Sequence, residues 1–401
     1  MIKKISAEQL KPGMLIHDLN AGWLSHPFLS NTIKVSDEPT IKKIMDCGIR
    51  EVYIDTEKGL DVPDATTADE VMREIDGAIN TSAVHATEAV VPHVPIQEEL
   101  VRAREIQKQA RETVQNLMDD VRFGRQIETE KVEHVVENMV ESIFRNQDAL
   151  MSLSRIRKKD EYTYYHSMSV CALMVSFARQ MGFDKRLVNE VGVGAMLHDI
   201  GKMKVPLAIL NKKNKLTAEE YEMMKGHALL GKRILEETVG ICETSILMCA
   251  EHHERIDGSG YPGNLEGDQI SIFGQMSAIV DVYDAMTSDR CYQNKRNPSE
   301  VLRNLFEWSK QHFSLDLVQR FIRCVGIYPI GTLVRLESGM LAVVIDHGEK
   351  EILKPTVRVI FNTKREMLVI PYDLDLSRNG ADRILRYEAS EQWDIDPIAY
   401  L

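Results

Sequence analysis

The sequence has no closely spaced pair of cysteines. Its six cysteines form no CxxC arrangement. Such usage is typical of reduced, cytosolic proteins and argues against a disulfide framework or a zinc knuckle. The N-terminus has no apolar signal core, and no apolar run approaches the roughly 20 residues of a membrane-spanning helix. We therefore expect a cytoplasmic protein without a membrane span.

The chain also has no excess of positive charge. Its formal net charge is −12 and its sequence pI is about 5.6. This balance argues against binding to nucleic acid polymers or to anionic membrane surfaces. A small phosphorylated ligand remains compatible with the charge, because lysines and metal ions can reverse the field within one pocket.

The 401 residues, of which 44% are hydrophobic, predict two or three domains that each bury a core. The patterns predict a mainly α protein. We expect a small α+β N-terminal domain at 1–60, an acidic linker or partly ordered segment at 61–97, a helical connector at 98–150, a helical domain that carries the chemistry at 151–330, and a β-rich C-terminal extension at 331–401. Any helix at 69–79 should be short.

The connector at 98–150 has apolar residues at three- to four-residue spacing, which predicts amphipathic helices. One run is Leu100, Ala103, Ile106, Ala110, Val114 and Leu117, and the other is Val132, Val135, Val136, Met139, Ile143 and Leu150. Either these helices pack on their own domain, or they form a dimerising stalk that relays signals from the N-terminal domain. The stripes alone do not decide between the two.

The stretch Ala195-Met-Leu-His198-Asp199-Ile-Gly-Lys202 places an imidazole, a carboxylate and an ammonium within five residues. Imidazole nitrogen and carboxylate oxygen bind divalent transition metals. If the stretch is helical, Lys202 lies one turn beyond the pair, where it suits a phosphate. A second pair, His17-Asp18, has no such lysine, so the dipeptide alone is weak evidence.

Further candidate ligands lie before and after this pair in the sequence. Five of the twelve histidines lie between residues 166 and 253, and Asp281 and Asp284 lie one helical turn apart. A lone histidine in a helix is more often a satisfied polar residue than a ligand. Burying this many polar groups without a metal would cost about 1–3 kcal/mol for each unpaired group. A metal cluster would satisfy them together.

These residues resemble the HD-GYP signature. The resemblance rests on His198-Asp199-Ile-Gly-Lys202, on His252-His253-Glu254, on Asp257-Gly-Ser-Gly260-Tyr261-Pro262, and on Asp281-Val-Tyr-Asp284 with Arg290 downstream. The HD-GYP family is a subgroup of the HD-domain metal phosphohydrolases that cleaves cyclic di-GMP, so the resemblance implies an HD-type helical bundle. The N-terminal region resembles a domain of unknown function that is often found ahead of HD-GYP domains.

The resemblance implies a role for each matching position. It makes Asp199 a bridge between two metals and a catalytic residue together with Lys202. The implied metal ligands are His166, His198, Asp199, His227, His252, His253 and Asp281. The implied substrate-binding residues are Lys202, Asp284, Arg290, Gly260, Tyr261 and Pro262. A plain tight turn would account equally well for the glycines and proline of the Gly260-Tyr261-Pro262 loop.

The resemblance also bears on the number of metals. Some members of the family hold a third metal through a carboxylate four residues before the first histidine, where this chain has Tyr162. Glu161 is about 100° away around a helix and is a poor substitute. We therefore expect two divalent ions. Mixed histidine and carboxylate ligation favours iron or manganese.

The resulting hypothesis is a metal-dependent phosphodiesterase that converts cyclic di-GMP to pGpG, with GMP as a further product. Metal-bound hydroxide would attack phosphorus, and Lys202 and Arg290 would offset the developing charge. One alternative is a metal phosphohydrolase that acts on another nucleotide. Another is a non-catalytic module that binds cyclic di-GMP or a protein. The expected partners are cyclic di-GMP, a second copy of the chain through residues 98–150, and a diguanylate cyclase-type or other signalling protein.

Overall fold

The computed structural model describes residues 1–21, 28, 30–84, 94–154, 162–212, 214, 216–288, 296–347, 353–378, 380 and 382–401. The helices within these ranges are α1 Glu38–Asp46, α2 Ala68–Val84, α3 Ile96–Arg122, α4 Thr129–Leu153, α5 Tyr162–Gln180, α6 Lys185–Leu197, α7 Leu207–Leu210, α8 Ala218–Lys225, α9 His227–Glu236, α10 Glu243–Glu251, α11 Ile272–Thr287, α12 Pro298–Trp308, α13 Leu315–Val325 and α14 Ser390–Trp393. The strands are β1 Ile2–Ser6, β2 Leu15–Asp18, β3 Ile33–Lys34, β4 Glu51–Asp55, β5 Leu333–Leu336, β6 Met340–Asp346, β7 Thr356–Asn362, β8 Met367–Asp375 and β9 Ile384–Tyr387.

The first 60 residues form a small antiparallel sheet with one helix, as predicted. The strand order is β1-β4-β2-β3. Helix α1 begins because the Asp37 side chain accepts a hydrogen bond from the Thr40 amide at 2.9 Å. It ends before Gly48, whose φ of +77° favours glycine. Ile16, Ile44 and Ile54 are fully buried between the sheet and the helix.

Helices α2 to α6 and α9 to α13 contribute buried residues to one hydrophobic core. The apolar residues of α3 and α4 lie in this core, and Val114, Val136 and Ile143 are fully buried within the single chain. The structure therefore favours the interpretation in which these helices pack on their own domain. The homodimer prediction rested on the apolar faces of α3 and α4, and within one chain these faces already pack against the core. Across the described ranges, no helix is both long and apolar enough to span a membrane.

Helix α2 is longer than the sequence analysis expected. It covers 17 residues within the segment that was interpreted as a linker. Val71, Ile75 and Ile79 recur at four-residue spacing and are buried against the main core. Composition pointed to a linker because the segment is acidic and rich in Ala and Thr. The helix is instead stabilised by tertiary packing of one apolar face, which local composition does not report.

The C-terminal region is a five-stranded antiparallel sheet with the strand order β8-β7-β6-β5-β9. The three strands expected from the sequence correspond to β5, β6 and β7. Strands β8 and β9 were not predicted, because β8 at the edge of the sheet has mostly exposed residues and lacks the alternation of a half-buried strand. The chain ends against the helical core, where the Gln97 side chain donates to the Leu401 carbonyl at 2.7 Å.

One buried carboxylate joins the N-terminal sheet to α12. Glu307, which is 5% exposed, accepts hydrogen bonds from the Tyr53 hydroxyl and the Asn20 amide, both at 3.0 Å. Its carboxylate also lies 2.6 Å from the Lys4 ammonium. Beside it, the Trp308 indole donates to the Asn20 side-chain oxygen at 2.9 Å. The N-terminal unit is therefore held on the helical domain by a hydrogen-bonded charge.

We expect Glu307→Ala to weaken this contact and lower the free energy of unfolding by about 1–3 kcal/mol, because it leaves buried donors without an acceptor. Urea unfolding followed by tryptophan fluorescence measures the change. Glu300→Ala is the matched control, since Glu300 is an exposed acid on the same helix. Equal stability of the two variants would contradict the prediction.

Candidate metal centre

The His198-Asp199 pair lies where α6 gives way to a tighter turn. Helix α6 ends at Leu197, His198 caps it, and a 3-10 turn covers Ile200–Lys204. The sequence analysis considered a continuous helix here. Lys202 nevertheless contacts the Asp199 carboxylate, because a 3-10 turn has three residues and places positions i and i+3 above one another.

Gly201 brings the turn directly against α9. A β-carbon on Gly201 would lie 2.0 Å from the His227 carbonyl oxygen and 2.4 Å from the Gly231 nitrogen. Only glycine permits this approach of two backbones. The approach places the first residue of α9, His227, beside Asp199.

Asp199 faces two groups of imidazoles with its two oxygens. Its Oδ2 lies 3.4 Å from the Nε2 atoms of both His166 and His198. Its Oδ1 lies 3.3 Å from His227 Nε2 and 3.6 Å from His252 Nε2. All five side chains are essentially inaccessible to solvent. A carboxylate in this position can bridge two metal ions, one in each group.

Asp281 on α11 spans the same two groups from the opposite side. Its Oδ1 lies 3.1 Å from His166 Nε2, and its Oδ2 lies 3.8 Å from His253 Nδ1. His253 has donor atoms within metal-sharing distance of those of Asp199, His227 and His252. The structure thus brings together all seven ligands that the sequence analysis named.

Backbone carbonyls fix the direction of three imidazoles. In each ring Nδ1 donates to a carbonyl three residues earlier, which leaves Nε2 to face the cluster. These bonds are His198 to Ala195 at 2.8 Å, His227 to Met224 at 2.6 Å and His252 to Cys249 at 2.8 Å. Such outer hydrogen bonds select the tautomer that binds a metal through Nε2.

His166 is oriented by a carboxylate instead. Its Nδ1 lies 2.7 Å from Asp284 Oδ2, and Asp284 is 1% exposed. The sequence analysis assigned Asp284 to substrate binding. Its buried position behind His166 favours a different role, in which the carboxylate orients the imidazole and raises its basicity.

We expect Asp284→Asn to weaken metal binding by roughly 10–100-fold, since the outer carboxylate that holds His166 would be lost. Competition with a coloured chelator measures the affinity. Asp268→Asn is the control, because Asp268 is an exposed acid near the start of the same helix. Unchanged metal affinity with a raised KM would instead support the substrate contact that the sequence analysis assigned.

The ionisation states suit metal binding. Burial, reinforced by the neighbouring His252 charge, lowers the pKa of His253 well below its usual range, and burial also lowers the pKa of His227. Burial opposes ionisation of Asp199 and Asp281. Lys202 and the facing histidines nevertheless hold the pKa of the Asp199 carboxyl well below its usual range. The facing histidines do the same for the pKa of Asp281. Neutral imidazoles and ionised carboxylates are the forms that bind metals.

The residues fit a pair of divalent ions. Asp199 Oδ1 is buried and accepts no hydrogen bond from the described residues, although two imidazole nitrogens face it. An unsatisfied buried oxygen costs about 1–3 kcal/mol. A metal ion between these atoms would remove that cost. His166, His198 and Asp281 would hold one ion, and His227, His252 and His253 the other, with Asp199 shared.

The glycine loop covers one side of the cluster. The Tyr261 ring lies 4.6 Å from the His253 ring at an angle of 31°. Gly258 has φ +75°, whereas Gly260 is needed for space, since a β-carbon there would lie 2.4 Å from the Arg255 nitrogen. Glu254 belongs to the matching His252-His253-Glu254 motif but was given no role from the sequence. It accepts hydrogen bonds from the Gly263 and Leu265 amides at 2.6 and 3.0 Å. Its position directly after the two histidines was the available signal.

Some predicted residues lie outside the described part of the chain. Arg290 and Glu161 fall in undescribed segments. Tyr162 begins α5, but its side chain is not described. Their predicted roles therefore stay predictions.

Two family models and one full-length relative match this chain. The family described as "Domain of unknown function (DUF3391)" matches residues 2–132, and the family described as "HD domain" matches residues 138–317. The chain is 38% identical over 400 residues to "Cyclic di-GMP phosphodiesterase PA4108" of Pseudomonas aeruginosa, which covers 98% of this chain and 94% of the relative. The chain belongs to the HD-GYP family of HD-domain phosphohydrolases.

Two further proteins are similar to this chain, one over less of its length and the other at a lower sequence identity than the Pseudomonas aeruginosa relative. The chain is 32% identical over 165 residues to "3'3'-cGAMP-specific phosphodiesterase 2" of Vibrio cholerae, and the match covers 41% of this chain and 32% of the relative. The solved structure of "Bd1817, a HDG"Y"P protein from Bdellovibrio bacteriovorus" matches with a TM-score of 0.48 and 18% identity, over 80% of this chain and 98% of that one. Membership of the family confirms the resemblance stated from the sequence, including that of the N-terminal region.

Proposed function

We propose that the protein is a cyclic di-GMP phosphodiesterase that opens its substrate to linear pGpG and then hydrolyses pGpG to GMP. The observation that carries this proposal is the position of Asp199, whose two oxygens face separate imidazole groups. The full-length relative whose printed name gives this activity supports the choice of substrate.

The residues of the site have two roles, namely binding the metal ions and stabilising negative charge on the phosphoryl group. Bound metal ions would activate water and polarise the phosphoryl oxygens. Asp199 and Asp281 place negative charge between the two imidazole groups and would help to hold the ions there. Lys202 is 21% exposed at its side chain and directs its ammonium at this centre. It can stabilise negative charge that develops on the phosphoryl group.

The ligand chemistry favours iron or manganese. All seven proposed ligands are imidazole or carboxylate groups, and no thiolate lies among the clusters of the described residues. Such mixed nitrogen and oxygen ligation suits these metals. We propose two ions for each chain, since Tyr162 stands where a third ion would need a carboxylate.

A related cyclic dinucleotide is the second candidate substrate. The relative from Vibrio cholerae is named for 3'3'-cGAMP, and it is 32% identical to this chain over 165 residues. The metal chemistry is the same for both substrates, so discrimination between them must come from contacts with the bases.

Incubation of iron- or manganese-loaded protein with separate substrates tests the proposal. The substrates are cyclic di-GMP, 3'3'-cGAMP, pGpG and an unrelated phosphodiester, with products resolved by chromatography. We expect cyclic di-GMP to be cleaved with the highest kcat/KM and pGpG to appear before GMP. Faster cleavage of 3'3'-cGAMP would favour the second candidate, and binding without cleavage would favour a non-catalytic module.

A further inference from the structure

Helix α8 ends with an ammonium held between two tyrosine rings. Lys225 Nζ lies 5.4 Å from the centre of the Tyr221 ring and 5.7 Å from that of Tyr261. The Tyr261 ring lies 4.6 Å from the ring of His253, which belongs to the metal cluster. The Lys225 ammonium is therefore separated from the cluster by a single aromatic ring.

The contacts of Lys225 hold its ammonium in place, but they do not include an ion pair with a buried carboxylate. Its carboxylate partner is Glu222 at 2.7 Å, three residues earlier on the same helix, with a side chain that is 68% exposed. Exposed pairs of this kind contribute little to stability. The two rings attract the ammonium through their faces and restrict where it can lie. The lysine side chain itself is 26% exposed, so the charge remains accessible to a ligand.

Lys202 has a different environment. Its ammonium contacts Asp199 inside the cluster, where the phosphate that is cleaved would bind. A cyclic dinucleotide carries a second phosphodiester anion on the same sugar–phosphate ring. When one phosphate lies at the metals, the other projects away from them, across that ring.

We propose that Lys225 binds the phosphate of the cyclic dinucleotide that is not being cleaved, and that Tyr221 and Tyr261 hold its ammonium in position. This inference rests on the proposed function and assigns a specificity residue for it. A compact ammonium with three donors is a suitable partner for a phosphate oxygen. The contact lies away from the reacting bond, so it contributes to substrate binding more than to the chemical step.

Kinetics on two substrates test the assignment. Cyclic di-GMP has two phosphates, whereas bis(p-nitrophenyl) phosphate has one and cannot reach Lys225 and the metals together. We expect Lys225→Met to raise the KM for cyclic di-GMP by about tenfold, as for loss of a charge-assisted hydrogen bond, with little change in kcat. Its kcat/KM for bis(p-nitrophenyl) phosphate should equal that of the wild type. Lys225→Arg should restore most of the affinity.

Lys232→Met is the matched control, since Lys232 lies on the next helix, is 44% exposed at its side chain and pairs with Glu236 at 3.8 Å. An unchanged KM for cyclic di-GMP in Lys225→Met overturns the assignment. Equal losses on both substrates also overturn it, because they would show that Lys225 supports the fold. Wild-type protein that cleaves bis(p-nitrophenyl) phosphate but not cyclic di-GMP would reject the proposed function itself, and this assignment with it.

Discussion

Replacing His198 and Asp199 together with alanine should abolish phosphodiester hydrolysis and leave a folded protein. Asp199 directs its two oxygens to separate imidazole groups, and His198 belongs to one of them. Without this bridge the ions lose their shared ligand. Metal ions contribute several kcal/mol to stabilising the transition state, so we expect a loss of about a thousandfold or more.

The fold should survive because the substitution removes two buried polar groups and leaves the apolar packing of α6 in place. Circular dichroism and thermal unfolding check this, and product chromatography measures activity. His17→Ala with Asp18→Ala is a matched control, because it removes the other His-Asp pair of the chain. That control should retain activity. Full activity of the His198 and Asp199 variant would rule out the proposed metal mechanism.

The two His-Asp pairs illustrate what the sequence could predict. As dipeptides they are indistinguishable. In the structure His17 is exposed on β2, and Asp18 accepts hydrogen bonds from the Asn20 amide at 2.8 Å and from the Asn31 side chain at 3.3 Å. His198-Asp199 could be recognised as a metal-binding pair only because further candidate ligands followed it along the sequence. Residue type and order therefore predicted the composition of the cluster.

The geometry of the cluster lay beyond the sequence. That Asp199 directs one oxygen to each imidazole group depends on how α6, α9 and α10 pack. Gly201, which permits that packing, looked like one residue of a short motif. Asp284 shows the same limit, because spacing on α11 placed it beside Asp281 but did not show that it would lie behind His166.

The fold could be predicted where an element's own residues determine its structure. Helix α1 has a capping side chain at its start and a glycine after its end. Strands β5 to β7 are runs of mainly apolar residues. These elements were therefore identified from the sequence. Helix α2 and strand β8 depend on their neighbours. The first is stabilised by a face buried against the main core, and the second by pairing with β7. Their local composition is compatible with a linker or a loop.

Adding Mn²⁺ to protein freed of metal should raise the midpoint of thermal unfolding, and the rise should saturate at two ions for each chain. An ion that binds only the folded state stabilises it by about 4 kcal/mol when the free-ion concentration is about a thousand times the Kd. For a domain of this size, that corresponds to roughly 10 °C or more for each occupied site. Asp199 Oδ1 is buried and accepts no hydrogen bond from the residues that the structure describes, and bound ions would remove the free-energy cost of burying it.

Scanning calorimetry during a metal titration measures the midpoint, and elemental analysis of anaerobically purified protein gives the count. The variant with alanine at positions 198 and 199 should show little of the rise, because it lacks the bridging carboxylate. A titration that saturates at three ions would contradict the two-ion prediction. It would mean that another group supplies the ligand that Tyr162 cannot, and a Tyr162→Glu variant would then bind no additional ion.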